Sequence, residues 1–280
     1  MRQNGRQSML CPNCRRLISN DEPSCPYCGI SRPGSRLRSD LLARFLQHPE
    51  DIIRAIIYLN GAFFLYTLLL NPTRLGFSAN PLAFLSPSDH SLLIAGATGT
   101  IPIARYHRWW TLIAASFLHG GILHIFFNMA ALKQLGPFVV REYGLHRFVI
   151  IYLVSGVVGF YVSFLAGVSL TIGASASVCG LIGAILYYGR SRGGSYGQAI
   201  YRQATGWIVG LAVFGMLVPG INNWGHGGGV LTGIAAGFLL GYREKRASTF
   251  NHQLLAMVAA GITLVVLCWA VIQSLMIRFF

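Results

Sequence analysis

The chain reads as an all-α membrane protein: a bundle of seven transmembrane helices preceded by a small metal-binding module. Three observations predict this class. Of 280 residues, 54% are hydrophobic and only 11% are charged. Apolar runs recur at lengths near the ~20 residues needed to cross a hydrocarbon core. Ahead of the first run stand two CxxC pairs, Cys11-Pro12-Asn13-Cys14 and Cys25-Pro26-Tyr27-Cys28, ten residues apart.

Taken in order, residues 1–31 form the module. Two cysteines at CxxC spacing sit on one tight turn, and two such turns supply four thiolates for one tetrahedral zinc. Adjacent disulfides would instead require an oxidising compartment. With few apolar residues to bury, the module is expected to owe its fold to structural zinc. Residues 32–51 read as a basic linker, with an amphipathic surface stretch running on to Arg54. No apolar stretch precedes Ile52, so no cleavable signal peptide is expected. Hydropathy and breaks at proline, glycine and arginine clusters then place spans at 52–70, 111–135, 148–168, 172–188, 206–218, 226–242 and 254–277. Residues 52–242 form the core of the protein, and residues 243–280 a loop and the seventh helix. Cys179 and Cys268 fall within spans and read as packing residues.

A net charge of +14 is compatible with nucleic-acid binding, but the placement of the basic residues points to membrane topology instead. Eighteen of the 22 Lys and Arg lie in the segment up to and including Arg54 or around Lys133, Arg190 and Arg243, regions that share one side in a seven-span layout. The other side holds only Arg74, Arg105, Arg108 and Arg278. The N-terminus is therefore expected in the cytoplasm and the C-terminus outside. The second, fourth and sixth spans then run inward.

These three spans carry the polar residues that call for explanation, because a polar group in lipid is costly unless it is hydrogen-bonded or used. The second opens with His119-Gly120-Gly121-Ile122-Leu123-His124-Ile125-Phe126-Phe127-Asn128, the fourth with Gly173-Ala174-Ser175, and the sixth with His226. His124 and Asn128 are four apart and share a helix face, with His119 above them. All five polar side chains are expected at similar depth. Their chemistry is complementary: Ser175 as nucleophile, His226 as general base and then acid, and His124, Asn128 and a helix N-terminus as donors to a developing oxyanion. None of the eight Asp and Glu lies inside a predicted span, and no HExxH occurs. Aspartate-dyad, metalloprotease and carboxylate-relay chemistry are therefore unsupported, and catalysis calls for no cofactor.

On the motifs HGGILHIFFN, GASASVCGLIGA and INNWGHGGGVLTGIAAGFLLG, the chain resembles the rhomboid family of intramembrane serine proteases. The resemblance implies a six-helix core with one added C-terminal helix, a Ser175–His226 dyad, and an oxyanion site of His124, Asn128 and the Ser175 backbone N–H. It implies that Gly173 and His119 support the site and that the loop from Asn71 to Trp110 lies partly in the membrane. The substrates implied are transmembrane proteins within the bilayer, cleaved in or near their helices. The cysteine module is similar to short zinc ribbons that prefix bacterial membrane proteins, which places the chain in a bacterial inner membrane. Gly229, Gly233, Gly237 and Gly241 read as one bare face bringing the sixth span onto the fourth. Three positions depart from the family pattern. Ala176 replaces the usual glycine after the nucleophile, Cys179 replaces an aromatic that stacks on the base, and Trp109-Trp110-Thr111 stands for a Trp-Arg pair, with Arg108 on the other side. Those departures keep open a non-catalytic relative that binds transmembrane helices.

Overall fold

The computed structural model describes residues 8–11, 14–28, 33, 51–71, 84–246 and 248–279. Most of the predicted basic linker and the first part of the loop after Asn71, with Pro72 and Pro81, lie outside the described residues. The chain separates into two compact units, 1–52 and 53–280.

In the first unit, β1 (Ser8–Leu10) and β2 (Leu17–Ser19) pair antiparallel, with Met9 opposite Ile18. Buried Ile18, Cys11 and Cys25 form the small core, with Met9, Cys14 and Cys28 against it. Among the described residues of this unit only Cys11, Ile18, Cys25 and Pro33 are buried, a small core in which the cysteine cluster is the main feature.

The second unit contains α1 (Asp51–Leu70), α2 (Asp89–Ala95), α3 (Thr111–Ala114), α4 (Ile122–Tyr143), α5 (Leu145–Leu165), α6 (Ser175–Arg192), α7 (Gly194–Leu217), α8 (Asn223–Leu240) and α9 (Phe250–Phe279). Seven of these have at least 18 residues, at the seven positions read from hydropathy. By length and composition α1, α4, α5 and α9 are each apolar enough to cross a membrane. Described residues of the segment between α1 and α4 form only short turns of helix, including a five-residue π-helical turn containing Pro102.

Three boundaries differ from the sequence reading. The second span begins at Ile122 instead of residue 111, because Gly120-Gly121 interrupts the helix; His119 is in the preceding non-helical segment. The same helix continues past Pro137 to Tyr143. A proline costs one backbone hydrogen bond without ending this helix, and beside it Gly136 lies close to α1: a methyl there would stand 2.8 Å from Ile53 Cδ1. The fifth span is 24 residues rather than a short one. Its first turns carry Ser195, Gln198, Arg202 and Gln203, which a hydropathy window excludes although they form a good polar helix face.

Helices α6 and α8 form the most extensive contact in the unit, and α5 packs on both. α7 lies against α6 and barely touches α8. α9 buries Ala256, Thr263, Leu267, Ala270 and Ser274 along one stripe, packing on α5, α2 and α3. The Ser274 hydroxyl is 2.5 Å from that of Tyr66 on α1. At the opposite end, three of the basic regions gather. Arg192 pairs with Glu244 at 3.1 Å, Lys245 Nζ donates to Ser191 Oγ at 2.6 Å, and Arg147 Nη2 donates to the Arg246 carbonyl at 3.0 Å. Charged side chains at the ends of apolar helices in this way keep their heads out of the hydrocarbon.

Candidate active site

Ser175 is the first residue of α6. It follows Gly173, whose φ of +119° is a conformation that side-chain-bearing residues rarely adopt, and whose N–H donates to the Ala115 carbonyl at 2.9 Å. Space demands glycine as well: a methyl at 173 would stand 2.7 Å from His124 Nε2 and 3.8 Å from Ser175 Oγ. The chain thus turns sharply just before the helix, leaving the unpaired N–H groups of the first turn beside the hydroxyl.

Asn128 and His124 lie one turn apart on α4, and both line a cavity of about 760 Å³ together with Ser175 and His226. The Gly120 N–H donates to His124 Nδ1 at 3.3 Å, so Nδ1 is an acceptor and the ring proton resides on Nε2. That Nε2–H is on the side of Gly173 and the serine, where it can donate to a group bound in the cavity. Asn128 Nδ2 spends one hydrogen on the His124 carbonyl at 2.9 Å, leaving the other for a ligand. His119 is fully buried, sits edge-on behind His124 with ring centroids 5.0 Å apart, and does not line the cavity. Four of the five polar side chains read from the sequence are therefore brought together, and His119 supports one of them from behind.

His226 lies in the first turn of α8. Its Nδ1 is buried and has no hydrogen-bond partner among the described residues, and it is not hydrogen-bonded to Ser175. Catalytic hydrogen bonds often tighten only when substrate binds. No aromatic stands at position 179; buried Cys179 occupies it, with its Cβ 3.2 Å from where a methyl at Gly229 would be. The Ala176 methyl, for its part, is accommodated: it packs over Gly159 of α5, where an added Cβ would come within 2.9 Å of it. Gly229, Gly233 and Gly237 face α6 as read, whereas Gly241 caps the helix and lies against Arg246.

Sequence reasoning missed Asn222, which also lines the cavity and caps α8 by accepting from the Gly225 N–H at 2.9 Å. The preference of helix starts for asparagine was the available signal.

In the separate N-terminal unit, the four thiol sulfurs lie within 4.8 Å of one another, with Cys11–Cys28 at 3.7 Å and Cys14–Cys25 at 3.6 Å. A tetrahedron with ~2.3 Å metal–sulfur bonds has edges of ~3.8 Å, so the cluster fits a metal ion. A backbone hydrogen bond from Arg16 lowers the Cys14 thiol, but burial and the three neighbouring thiols outweigh it and push the group up to about 12. Metal binding there must therefore displace protons.

Comparison with known proteins identifies the family. The family model described as the rhomboid domain matches residues 106–243. The rhomboid protease GluP of Bacillus subtilis (strain 168) is 35% identical over 173 residues, 62% of this chain and 34% of the relative. RHOMBOID-like protein 4 of Arabidopsis thaliana is 32% identical over 164 residues, 58% of this chain and 41% of its own length. RHOMBOID-like protein 6, mitochondrial, of the same plant is 33% identical over 184 residues, 62% and 60%. The matches thus span between a third and three fifths of these relatives. The matched domain contains α4, α6 and α8 with every cavity-lining polar residue named above, and leaves out the cysteine module and α9; through it, the chain belongs to the rhomboid family.

Proposed function

We propose that the protein is an intramembrane serine endopeptidase that hydrolyses peptide bonds in or near transmembrane helices of other membrane proteins. The observation that carries this reading is the cavity shared by Ser175, His226, His124 and Asn128 at the starts of three packed helices. In the proposed reaction, Ser175 Oγ attacks the scissile carbonyl as His226 takes its proton. The oxyanion is held by the Ser175 N–H, His124 Nε2–H and Asn128 Nδ2. Collapse breaks the C–N bond, with His226 returning the proton to the amine; water, activated by the same imidazole, then releases the acyl group and frees the serine. A helical peptide bond is closed to attack, so substrate helices with glycine, proline or polar residues near the cut unwind at lower cost. Basic residues gathered at one end of the second unit support a cytoplasmic N-terminus, and with it a multi-pass protein of a bacterial inner membrane.

Cleavage of a single-span model substrate in liposomes tests the reading, together with fluorophosphonate labelling of Ser175. Because the Ala176 methyl is seated over Gly159, Ala176→Gly should change turnover by no more than about threefold while opening a cavity worth about 1 kcal/mol of stability. Cys179, in place of an aromatic beside His226, favours the second reading, a non-catalytic helix binder. That reading takes over if the wild type neither cleaves any helix-destabilised substrate nor reacts with the probe.

The cysteine cluster is proposed to hold one structural zinc. Protein purified without chelators should contain about one zinc per chain, and replacing Cys11 and Cys25 by serine should remove it. Hydrogen exchange over 11–28 should then rise to unfolded rates while the thermal transition of the membrane unit stays in place. Absence of metal, or iron in its stead, overturns the assignment.

A further inference from the structure

His226 is not fixed by a hydrogen bond at Nδ1 or by an aromatic neighbour at 179, yet a general base must be held in place. The hydrogen bonds around the start of its helix converge on one side chain. Asn222 Oδ1 accepts from Gly225 N, and Asn222 Nδ2 donates to Ser163 Oγ on α5 at 2.7 Å and to Thr171 Oγ1 at 2.8 Å. The backbone carbonyl of Asn222 in turn accepts from the His226 N–H at 3.1 Å. Thr171 lies four residues before Ser175 and is itself pinned by paired backbone bonds with Thr98 at 3.0 and 2.7 Å. Ser163 Oγ passes on a hydrogen to the Gly159 carbonyl at 3.0 Å, and Gly159 is where Ala176 and the Gly225 carbonyl meet α5. Both amide hydrogens and the oxygen of Asn222 are used: the oxygen caps α8 itself, and the two hydrogens tie that helix start to α5 and to the segment of Thr171.

We propose that Asn222 is a positioning residue that locks the nucleophile-bearing segment 168–175 and the base-bearing helix α8 in one frame. The inference rests on the protease reading of Ser175 and His226, and it assigns to a helix cap the task of orienting the base. A cap alone needs only the oxygen; the two donations, to elements 59 and 51 residues away in sequence, exceed what capping requires.

Asn222→Ser separates the two roles, because serine caps a helix about as well as asparagine but has no second arm to reach Ser163 and Thr171. The expected result is a fall in kcat of about tenfold to a hundredfold with KM within about twofold, since small misplacements at a reacting centre cost rate more than binding. Fluorophosphonate labelling of Ser175 should slow in parallel. Ser163→Ala combined with Thr171→Val should reproduce the loss, and adding Asn222→Ser to that pair should cost nothing more. Hydrogen exchange in Asn222→Ser should rise together over 168–175 and 222–226. Full turnover in Asn222→Ser, or exchange that rises at 222–226 alone, reduces Asn222 to a cap and sinks the proposal while leaving the protease reading intact. A wild type without turnover or labelling sinks the protease reading instead; exchange then decides whether the two segments are locked together.

Discussion

Ser175→Ala and His226→Ala should each lower cleavage of a single-span substrate by about 10⁴-fold or more, and the double variant should be scarcely worse than either single one. The non-additivity follows from chemistry: once the hydroxyl is gone the imidazole has no proton to take, and without the imidazole the hydroxyl is a poor nucleophile. Thermal stability in detergent should be nearly unchanged. His226 Nδ1 has no hydrogen-bond partner among the described residues, so its deletion leaves no newly orphaned group at that atom, and Ser175→Ala removes a single oxygen at the edge of the cavity. Asn128→Ala should be milder, about tenfold to a thousandfold, because the Ser175 N–H and His124 Nε2–H remain as donors. Turnover measured beside melting temperature checks all three. Activity surviving Ser175→Ala would remove the serine mechanism altogether.

The parts of this arrangement that were legible in the sequence are those with a chemical or periodic signature. Apolar length located all seven long helices, and polar residues against that background pointed to Ser175, His226, His124 and Asn128. Two CxxC pairs marked the four thiols that the structure brings within metal-binding distance. What stayed hidden depends on local backbone events or on contacts distant in sequence. His119 was read as helical because it falls within the apolar run 111–135, yet Gly120-Gly121 delays the helix to Ile122. The first half of α7 was lost because hydropathy reports lipid compatibility, not hydrogen-bonding pattern, and a helix that rests mainly on α6 can carry polar residues there. Asn222 was hidden for a similar reason. Its sequence neighbours show at most a helix cap, whereas its other two partners, Ser163 and Thr171, come from α5 and the following loop. The fit of Ala176 likewise depends on Gly159, seventeen positions earlier, which no local pattern connects to it.

Gly233→Val should abolish activity and collapse stability together, in contrast to the active-site variants. A methyl at 233 would stand 1.9 Å from the carbonyl oxygen of Gly180, 2.6 Å from its carbon and 2.8 Å from its Cα. All three are backbone atoms of α6, so no rotamer change relieves the clash and the helices must separate by more than an ångström. The same closeness recurs along the seam: a methyl at Gly229 would be 2.2 Å from the Ala176 carbonyl oxygen, and one at Gly183 of α6 would be 2.1 Å from that of Val230. Within a bilayer, helix association depends on this close packing and not on a hydrophobic force, since lipid solvates an exposed helix face equally well. Prying α8 from α6 therefore removes the principal attraction between them, and overpacking of a fixed backbone seam costs at least about 1–3 kcal/mol. It also moves His226 relative to Ser175, where a displacement of about 1 Å suffices for about a hundredfold loss of rate. Gly261→Ala in α9 is the control, because nothing lies within 4 Å of a methyl there. That change should leave turnover unaltered and stabilise the helix by up to about 1 kcal/mol through propensity alone. Melting curves and turnover measured on both variants decide the matter: a Gly233→Val protein that melts and cleaves like the wild type would show that the glycine seam does not hold the two catalytic helices together.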